Sequence, residues 1–122
     1  MSKVVLLVED NDFIRNMYHL KLSKSNIEVV EAVDGKMALD KIKEHKPDLV
    51  LLDMMMPNVS GIDVLKELKK EGLVPDMPVI VLTNIMNPQS IEEAKKLGAR
   101  DYIIKTDLTP SQVVEKLKPY IK

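Results

Sequence analysis

Four short apolar runs along this chain each end directly on a polar side chain. They are VVLLV before Glu9-Asp10, LVLL before Asp53, VIVL before Thr83 and YII before Lys105. Uninterrupted runs of Val, Ile and Leu of this length are typical of strands buried on both faces of a parallel sheet. Ligands of open α/β sheets bind just beyond the carboxyl ends of the strands. The sequence therefore predicts one rim that carries three carboxylates, a hydroxyl and an ammonium.

The segments between these runs have helical periodicity, and residues 27–33 supply a fifth strand. We predict an α/β fold of five βα units, a doubly wound parallel sheet with helices on both faces. The strand order 2-1-3-4-5 is adopted from flavodoxin-like folds. Residues 1–122 are predicted to form a single domain without an output domain. Capping residues predict helix starts at Asp34, Ser60 with Asp63, Asn87-Pro88, and Thr109 with Gln112.

Composition excludes several classes of function. The 18 basic and 19 acidic side chains give a net charge of −1, so nothing favours nucleic-acid binding. The chain has no cysteine, which excludes disulfides and thiolate chemistry. No apolar run approaches the roughly 20 residues needed to cross a bilayer, and VVLLV is too short for a signal-peptide core. These features predict a soluble, cytoplasmic domain.

The residues at the rim are suited to phosphoryl transfer. Crowded carboxylates need a cation, and hard oxygen ligands with few side chains favour Mg²⁺. A carboxylate can accept a phosphoryl group, while Lys105 supplies positive charge and Thr83 a hydroxyl. Each residue also has a simpler interpretation, since Asp10 or Asn11 could merely cap a helix. Four strand ends with complementary chemistry favour the functional interpretation.

Four motifs in this order resemble the receiver domain of bacterial two-component response regulators. They are VEDN after strand 1, LLDMMMPNVSGIDVL around strand 3, VLT at the end of strand 4 and GARDYIIK through strand 5. The resemblance implies roles for individual residues: Asp53 as phosphoacceptor and metal ligand, Glu9 and Asp10 as further Mg²⁺ ligands, Met55 as a metal ligand through its backbone carbonyl, Thr83 and Lys105 as phosphoryl contacts, and Tyr102 as a switch residue.

The resemblance also implies a mechanism and partners. A histidine kinase or histidine phosphotransfer protein would supply the phosphoryl group. Thr83 would then move toward it, Tyr102 would turn inward, and the face of helix 4, strand 5 and helix 5 would change its affinity for a downstream protein. We expect a regulator and not an enzyme, either monomeric or dimeric on phosphorylation, with no direct binding to DNA or membrane. Of Phe13 and Ile14, one is expected in the core and the other at a kinase contact.

The sequence departs from the family pattern at several positions. Glu9 stands where Asp is commoner, and Asn84 follows Thr83 where a small residue is usual, which narrows access to the phosphoryl group. Lys105 precedes Thr106 and not the usual proline, so we predict a rebuilt loop with a trans peptide bond. Met55 and Ile85 are apolar at positions that influence attack by water, which predicts slow self-dephosphorylation.

Three other functions share parts of this sequence pattern. A phosphatase of the haloacid dehalogenase kind requires a second acid two residues after the nucleophile, where Met55 stands. A flavin carrier requires a Ser/Thr/Gly-rich loop after strand 1, where this chain has Glu-Asp-Asn-Asp. A receiver-like interaction module that works without phosphorylation requires only the fold and remains the alternative.

Overall fold

The computed structural model describes residues 3–56 and 59–121, in which strands and helices alternate. Two short 3₁₀ segments, Lys105–Asp107 and Lys118–Tyr120, flank the last α-helix. The elements are β1 (Lys3–Val8), α1 (Asp12–Lys24), β2 (Ile27–Ala32), α2 (Gly35–His45), β3 (Leu49–Leu52), α3 (Gly61–Lys70), β4 (Val79–Thr83), α4 (Pro88–Lys96), β5 (Asp101–Ile104) and α5 (Pro110–Leu117).

The five strands form one parallel sheet in the order β2-β1-β3-β4-β5, which confirms the predicted topology. β1 and β3 are neighbours, and Val8 is in register with Leu52. The Asp53 amide continues the ladder by donating to the Val8 carbonyl at 3.2 Å. The residues that follow Val8 and Leu52 therefore leave the sheet side by side.

Alternate strand residues pack into two apolar layers. One face of the sheet, with Val8 and Leu52, packs against α2, α3 and α4, and the other, with Leu7 and Leu51, packs against α1 and α5. Successive strand side chains point to opposite faces, so the central strands β3 and β4, buried at every position, must be apolar on both faces. The continuous Val, Ile and Leu runs follow from burial on both faces.

Local side-chain caps start the helices where the sequence predicts them. Asp34 accepts from the Met37 amide at 2.8 Å, and Asn87 accepts from the Ser90 amide at 2.8 Å. Reciprocal capping boxes open α3 at Ser60 and α5 at Thr109. At α1 the cap is Asn11, whose Oδ1 accepts from the Ile14 amide at 2.9 Å. Since Asn11 fills this position, the carboxylate of Asp10 is free for another role.

The loop after β5 adopts the predicted trans conformation. The cis peptide bond of the described residues is Val74–Pro75, and the Lys105–Thr106 bond is trans. A 3₁₀ turn over Lys105–Asp107 connects β5 to α5. β2 ends at Ala32, one residue before the predicted end. In the described part of the chain, no helix has the length and apolar character needed to span a membrane.

Candidate functional site

Three carboxylates meet beyond the ends of β1 and β3. One oxygen from each of Glu9, Asp10 and Asp53 lies within 4.8 Å of the others. Glu9 and Asp53 are only 3% and 5% exposed, whereas Asp10 is exposed to solvent. The polar residues that directly follow β1 and β3 thus lie close together, as the sequence predicts.

Lys105 reaches this cluster from the end of β5. Its Nζ donates to Glu9 Oε1 at 2.5 Å and to Asp53 Oδ2 at 3.1 Å, and its side chain is 11% exposed. The strand order places β4 between β3 and β5, so the lysine stem crosses the end of β4. A single ammonium balances about one of the three carboxylate charges, which leaves the cluster net acidic.

Burial sets the protonation behaviour of this cluster. Desolvation raises the pKa of Glu9, and it outweighs the hydrogen bonds that Glu9 accepts from Lys105 and from the Asn11 amide. Desolvation by itself lowers the pKa of Lys105. The hydrogen bond to Glu9 and the charge of Asp53 outweigh this effect, so the pKa of Lys105 is raised. Lys105 is therefore charged at neutral pH, while ionised Glu9 is held at a cost to the fold.

The raised pKa of Glu9 predicts how the stability of the metal-free protein depends on pH. Because this pKa lies above the ordinary value of 4.5, the folded chain binds the proton more tightly than the unfolded chain. The contribution of Glu9 to stability is fully present below about pH 4.5 and is lost as the pH rises through the folded-state pKa. We expect Glu9→Gln to be more stable than wild type at neutral pH, because glutamine carries no charge to bury and Lys105 keeps Asp53 as a counter-ion. Urea unfolding in a chelator, repeated in acid where the two proteins should converge, measures this. Lower stability of the variant at neutral pH would contradict the prediction.

The donor set fits a magnesium ion. Carboxylate oxygens are the hard ligands that Mg²⁺ prefers, and Mg²⁺ is usually held by one or two carboxylates with waters completing the shell. The position between Glu9 and Asp53 already attracts one cation, the ammonium of Lys105. Asp53 Oδ1 accepts from the Met55 amide at 3.2 Å, which fixes the orientation of the carboxylate. The role of the Met55 carbonyl as a ligand stays a prediction.

Thr83 and Tyr102 are both connected to the loop that follows β4. Thr83 is fully buried at the end of this strand, and its Oγ1 accepts from the Ile85 amide at 3.4 Å. The Tyr102 hydroxyl donates to the Ile85 carbonyl at 2.6 Å. Burial and, to a lesser extent, the charge of Asp53 raise the pKa of Tyr102, so this hydroxyl stays a donor at neutral pH. One loop residue, Ile85, therefore contacts both predicted switch residues.

The remaining predicted positions differ in exposure. Met55 is 63% exposed and Asn84 is exposed, whereas the side chain of Ile85 packs against the core layer that includes α2, α3 and α4. Ile14 packs on the opposite layer, while Phe13 is 79% exposed. The expectation that one of this pair is in the core is confirmed, and the role of Phe13 as a kinase contact stays a prediction.

Sequence reasoning missed one residue beside the acidic cluster. Arg15, on the first turn of α1, donates from Nη1 to the Glu9 carbonyl at 3.0 Å and from Nη2 to Asp12 Oδ1 at 2.5 Å. The spacing of Asp12 and Arg15 is that of an i,i+3 ion pair, which was the available signal. The contact with the Glu9 backbone has no such signal, because it depends on how α1 packs beside β1.

Comparison with known proteins identifies the family. Residues 5–118 match the response regulator receiver domain, and the chain belongs to this family. It is 41% identical to the chemotaxis protein CheY of Thermotoga maritima, with both chains covered in full. It is 36% identical to the phosphate regulon transcriptional regulatory protein PhoB of Escherichia coli, of which it spans 53%. The structure of CheY4 from Vibrio cholerae superposes with a TM-score of 0.90 at 27% identity, covering 99% of this chain and all of that one. The protein is thus a receiver domain of the two-component type, a class that signals by phosphorylation.

Proposed function

We propose that this protein is a phosphorylation-switched signalling domain in which Asp53 accepts a phosphoryl group from a phosphohistidine of a kinase or phosphotransfer protein. The observation that supports this most is the convergence of Glu9, Asp10 and Asp53 within 4.8 Å beside the ammonium of Lys105. The domain accepts and slowly loses one phosphoryl group, so it acts as a regulator and not as a turnover enzyme. Its surface then controls a downstream protein.

The chemistry follows from the positions of these residues. An Asp53 oxygen attacks phosphorus, the bond from phosphorus to the donor imidazole nitrogen breaks, and the electron pair stays on that nitrogen. Glu9, Asp10 and Asp53 would hold Mg²⁺, which would supply positive charge to neutralise the phosphoryl oxygens. The Met55 amide orients Asp53 for the attack. Lys105 exchanges its contact with Asp53 Oδ2 for one with a phosphoryl oxygen, which supplies the electrostatic stabilisation that such transfers need.

The new phosphoryl oxygens change the contacts of the loop after β4. Phosphorylation adds about −1.5 to −2 charge and strong acceptors beside Thr83. The Thr83 hydroxyl turns toward them as a donor, and the Ile85 amide loses its acceptor at that hydroxyl. Tyr102, whose hydroxyl donates to the Ile85 carbonyl, then turns inward as this loop shifts. The α4–β5–α5 face thereby changes, and the phosphoryl group shifts an equilibrium between two surfaces by its differential contacts.

Intact-mass measurement after incubation with acetyl phosphate tests the proposal. We expect one added phosphoryl group on the wild type in the presence of Mg²⁺, none in a chelator and none on Asp53→Asn. Asparagine keeps the shape of the side chain but cannot form the acyl phosphate. Phosphorylation of Asp53→Asn to the wild-type extent would contradict the assignment of the acceptor. Failure of the wild type to react with this donor and with phosphorylated histidine kinases would favour the module that works without phosphorylation.

The phosphorylated state is expected to decay slowly. Neither Met55 nor Ile85 carries a group that could orient an attacking water, and Ile85 packs against the core. We expect Met55→Asn, which places an amide at an exposed position, to speed decay about tenfold, equivalent to about 1.4 kcal/mol in the barrier. The decay is followed by intact mass after removal of acetyl phosphate, with Leu20→Asn on α1 as an exposed control. A wild-type half-life of seconds, or equal decay of Met55→Asn and wild type, would contradict this explanation.

A further inference from the structure

We propose that Arg15 is a positioning residue for the magnesium site, because it fixes the peptide group that joins Glu9 to Asp10. This inference rests on the proposed function and assigns a role to a residue outside the acidic cluster. The Arg15 side chain is 11% exposed although it carries a full charge. A buried guanidinium at this place requires partners, and its partners connect three separate elements.

The first contacts of Arg15 connect β1 to α1. Nη1 donates to the carbonyl oxygen of Glu9, directly beyond the end of β1, at 3.0 Å. Nη2 donates to Asp12 Oδ1, in the first turn of α1. The planar guanidinium holds both acceptors in a fixed relative geometry, which a flexible ammonium could not do.

A third side of the guanidinium faces β2. Its Nε lies 3.6 Å from Glu31 Oε1, beyond hydrogen-bond distance, and is buried without a hydrogen-bond partner among the described residues. Glu31 in turn contacts His19 Nδ1 through Oε2 at 2.8 Å. The Glu31 carboxylate forms an ion pair with Arg15 at 3.6 Å, while the hydrogen bonds of Arg15 go to Glu9 and Asp12. The satisfied contacts are those that fix the turn between β1 and α1.

The peptide between Glu9 and Asp10 matters because the two carboxylates are anchored differently. Glu9 accepts from Lys105 Nζ through Oε1 and from the Asn11 amide through Oε2 at 3.1 Å. The Asp10 carboxylate is exposed, and within residues 3–56 and 59–121 it has no protein hydrogen-bond partner. Its position near Asp53 is therefore set by its backbone, and Arg15 holds the carbonyl that defines the orientation of that backbone.

The charge of Arg15 and its positioning role predict opposite changes in magnesium affinity when Arg15 is removed. Arg15 is a positive charge beside a cation site, so removing it should strengthen Mg²⁺ binding if charge were its only influence. If Arg15 positions the Glu9–Asp10 peptide, its removal should weaken binding, since outer partners of metal ligands typically contribute about 10- to 100-fold to affinity. The sign of the change in Kd distinguishes the two effects.

Magnesium titration followed by amide NMR provides the test, with wild type, Arg15→Met and Arg100→Met compared. Arg100 is the matched control, because it also donates to a backbone carbonyl, that of Pro75 at 2.9 Å, but precedes the amino end of β5. We expect Arg15→Met to raise the Kd for Mg²⁺ by about 10- to 100-fold and Arg100→Met to leave it unchanged. An unchanged or lower Kd for folded Arg15→Met would overturn the inference. If the wild type does not bind Mg²⁺, this result would instead contradict the proposed function on which the inference about Arg15 rests.

Two further measurements separate positioning from a general loss of structure. Phosphorylation of Arg15→Met by acetyl phosphate should return to near the wild-type rate at saturating Mg²⁺, since Asp53 and Lys105 are intact. A rate that stays low at saturating Mg²⁺ would contradict a role through metal affinity. If Arg15→Met does not fold, Arg15→Lys replaces it, and because the ammonium of lysine lacks the planar fork that fixes both acceptors, a rise in Kd is again expected. A wild-type Kd for Arg15→Lys would overturn the inference.

Discussion

Replacing Lys105 by methionine is expected to slow phosphorylation by acetyl phosphate about 10²- to 10³-fold, the usual loss when one preorganised electrostatic contact to a reacting group is removed. Methionine has a similar length but carries no charge. The same substitution leaves Glu9 and Asp53 buried without their shared counter-ion. We therefore expect the metal-free variant to lose about 3–5 kcal/mol of stability, as when one partner of a buried ion pair is removed.

Magnesium should partly reverse this loss of stability. With the ammonium gone, the acidic cluster attracts Mg²⁺ more strongly, and a ligand that binds only the folded state stabilises it. Urea unfolding with and without Mg²⁺, and phosphorylation rates by intact mass, measure the two effects. Lys116→Met is the control, because Lys116 is half exposed and lies 3.8 Å from Asp101, outside the site. A Lys105→Met protein that reacts at the wild-type rate would exclude Lys105 from the transfer chemistry.

Truncating Leu51 to alanine is expected to reduce the free energy of unfolding by about 2–5 kcal/mol, the range for buried leucines. Leu51 is 1% exposed in the middle of the sheet and packs in the layer with α1 and α5. Domains of this size have total stabilities of about 5–15 kcal/mol. The Leu51→Ala protein should therefore be only marginally stable at physiological temperature. Asp53, two residues further along the chain, is unchanged in this variant.

Leu20→Ala provides the matched control for Leu51→Ala. Leu20 lies on α1 and is 62% exposed, so the same change in side chain removes little buried surface. We expect it to alter stability by less than about 0.5 kcal/mol. Urea unfolding followed by circular dichroism compares both variants with the wild type. Equal destabilisation by the two substitutions would contradict the two-layer core.

The positions that burial and strand geometry determine could be predicted from the sequence. Asp53 and Thr83 each follow a fully apolar run, and the carboxyl ends of parallel strands meet at one rim. The helix caps at Asp34 and Asn87 are local interactions within four residues, so they can also be predicted from the sequence. The prediction that β1 pairs with β3 comes from similar folds. Pairing between strands distant in the sequence leaves no periodic pattern in either strand, so it cannot be predicted from the residues.

The contacts that depend on packing between elements could not be predicted. Lys105 was expected as a phosphoryl contact, but its hydrogen bond to Glu9 joins residues 96 positions apart. The bond from Tyr102 to the Ile85 carbonyl also depends on the path of a loop. Arg15 was overlooked for the same reason, since its acceptor is a backbone carbonyl that any residue at position 9 would offer.

The acidic cluster illustrates why a functional site is less stable than the surrounding core. Glu9 is held against the cost of burial, and Glu9 and Asp53 share the ammonium of one lysine. Such arrangements cost stability and persist where the chemistry needs them. The apolar layers on both faces of the sheet provide the compensating stability and hold the strand ends rigidly in place.

The most direct test of the account is to locate the phosphoryl group on the chain. Borohydride reduces an aspartyl phosphate to homoserine with release of phosphate, which marks the acceptor permanently. The wild type, phosphorylated with acetyl phosphate and Mg²⁺, is reduced and then mapped by peptide mass spectrometry. The account predicts homoserine at position 53 and at no other aspartate. Homoserine at Asp10 or another aspartate, with Asp53 unmodified, would contradict it.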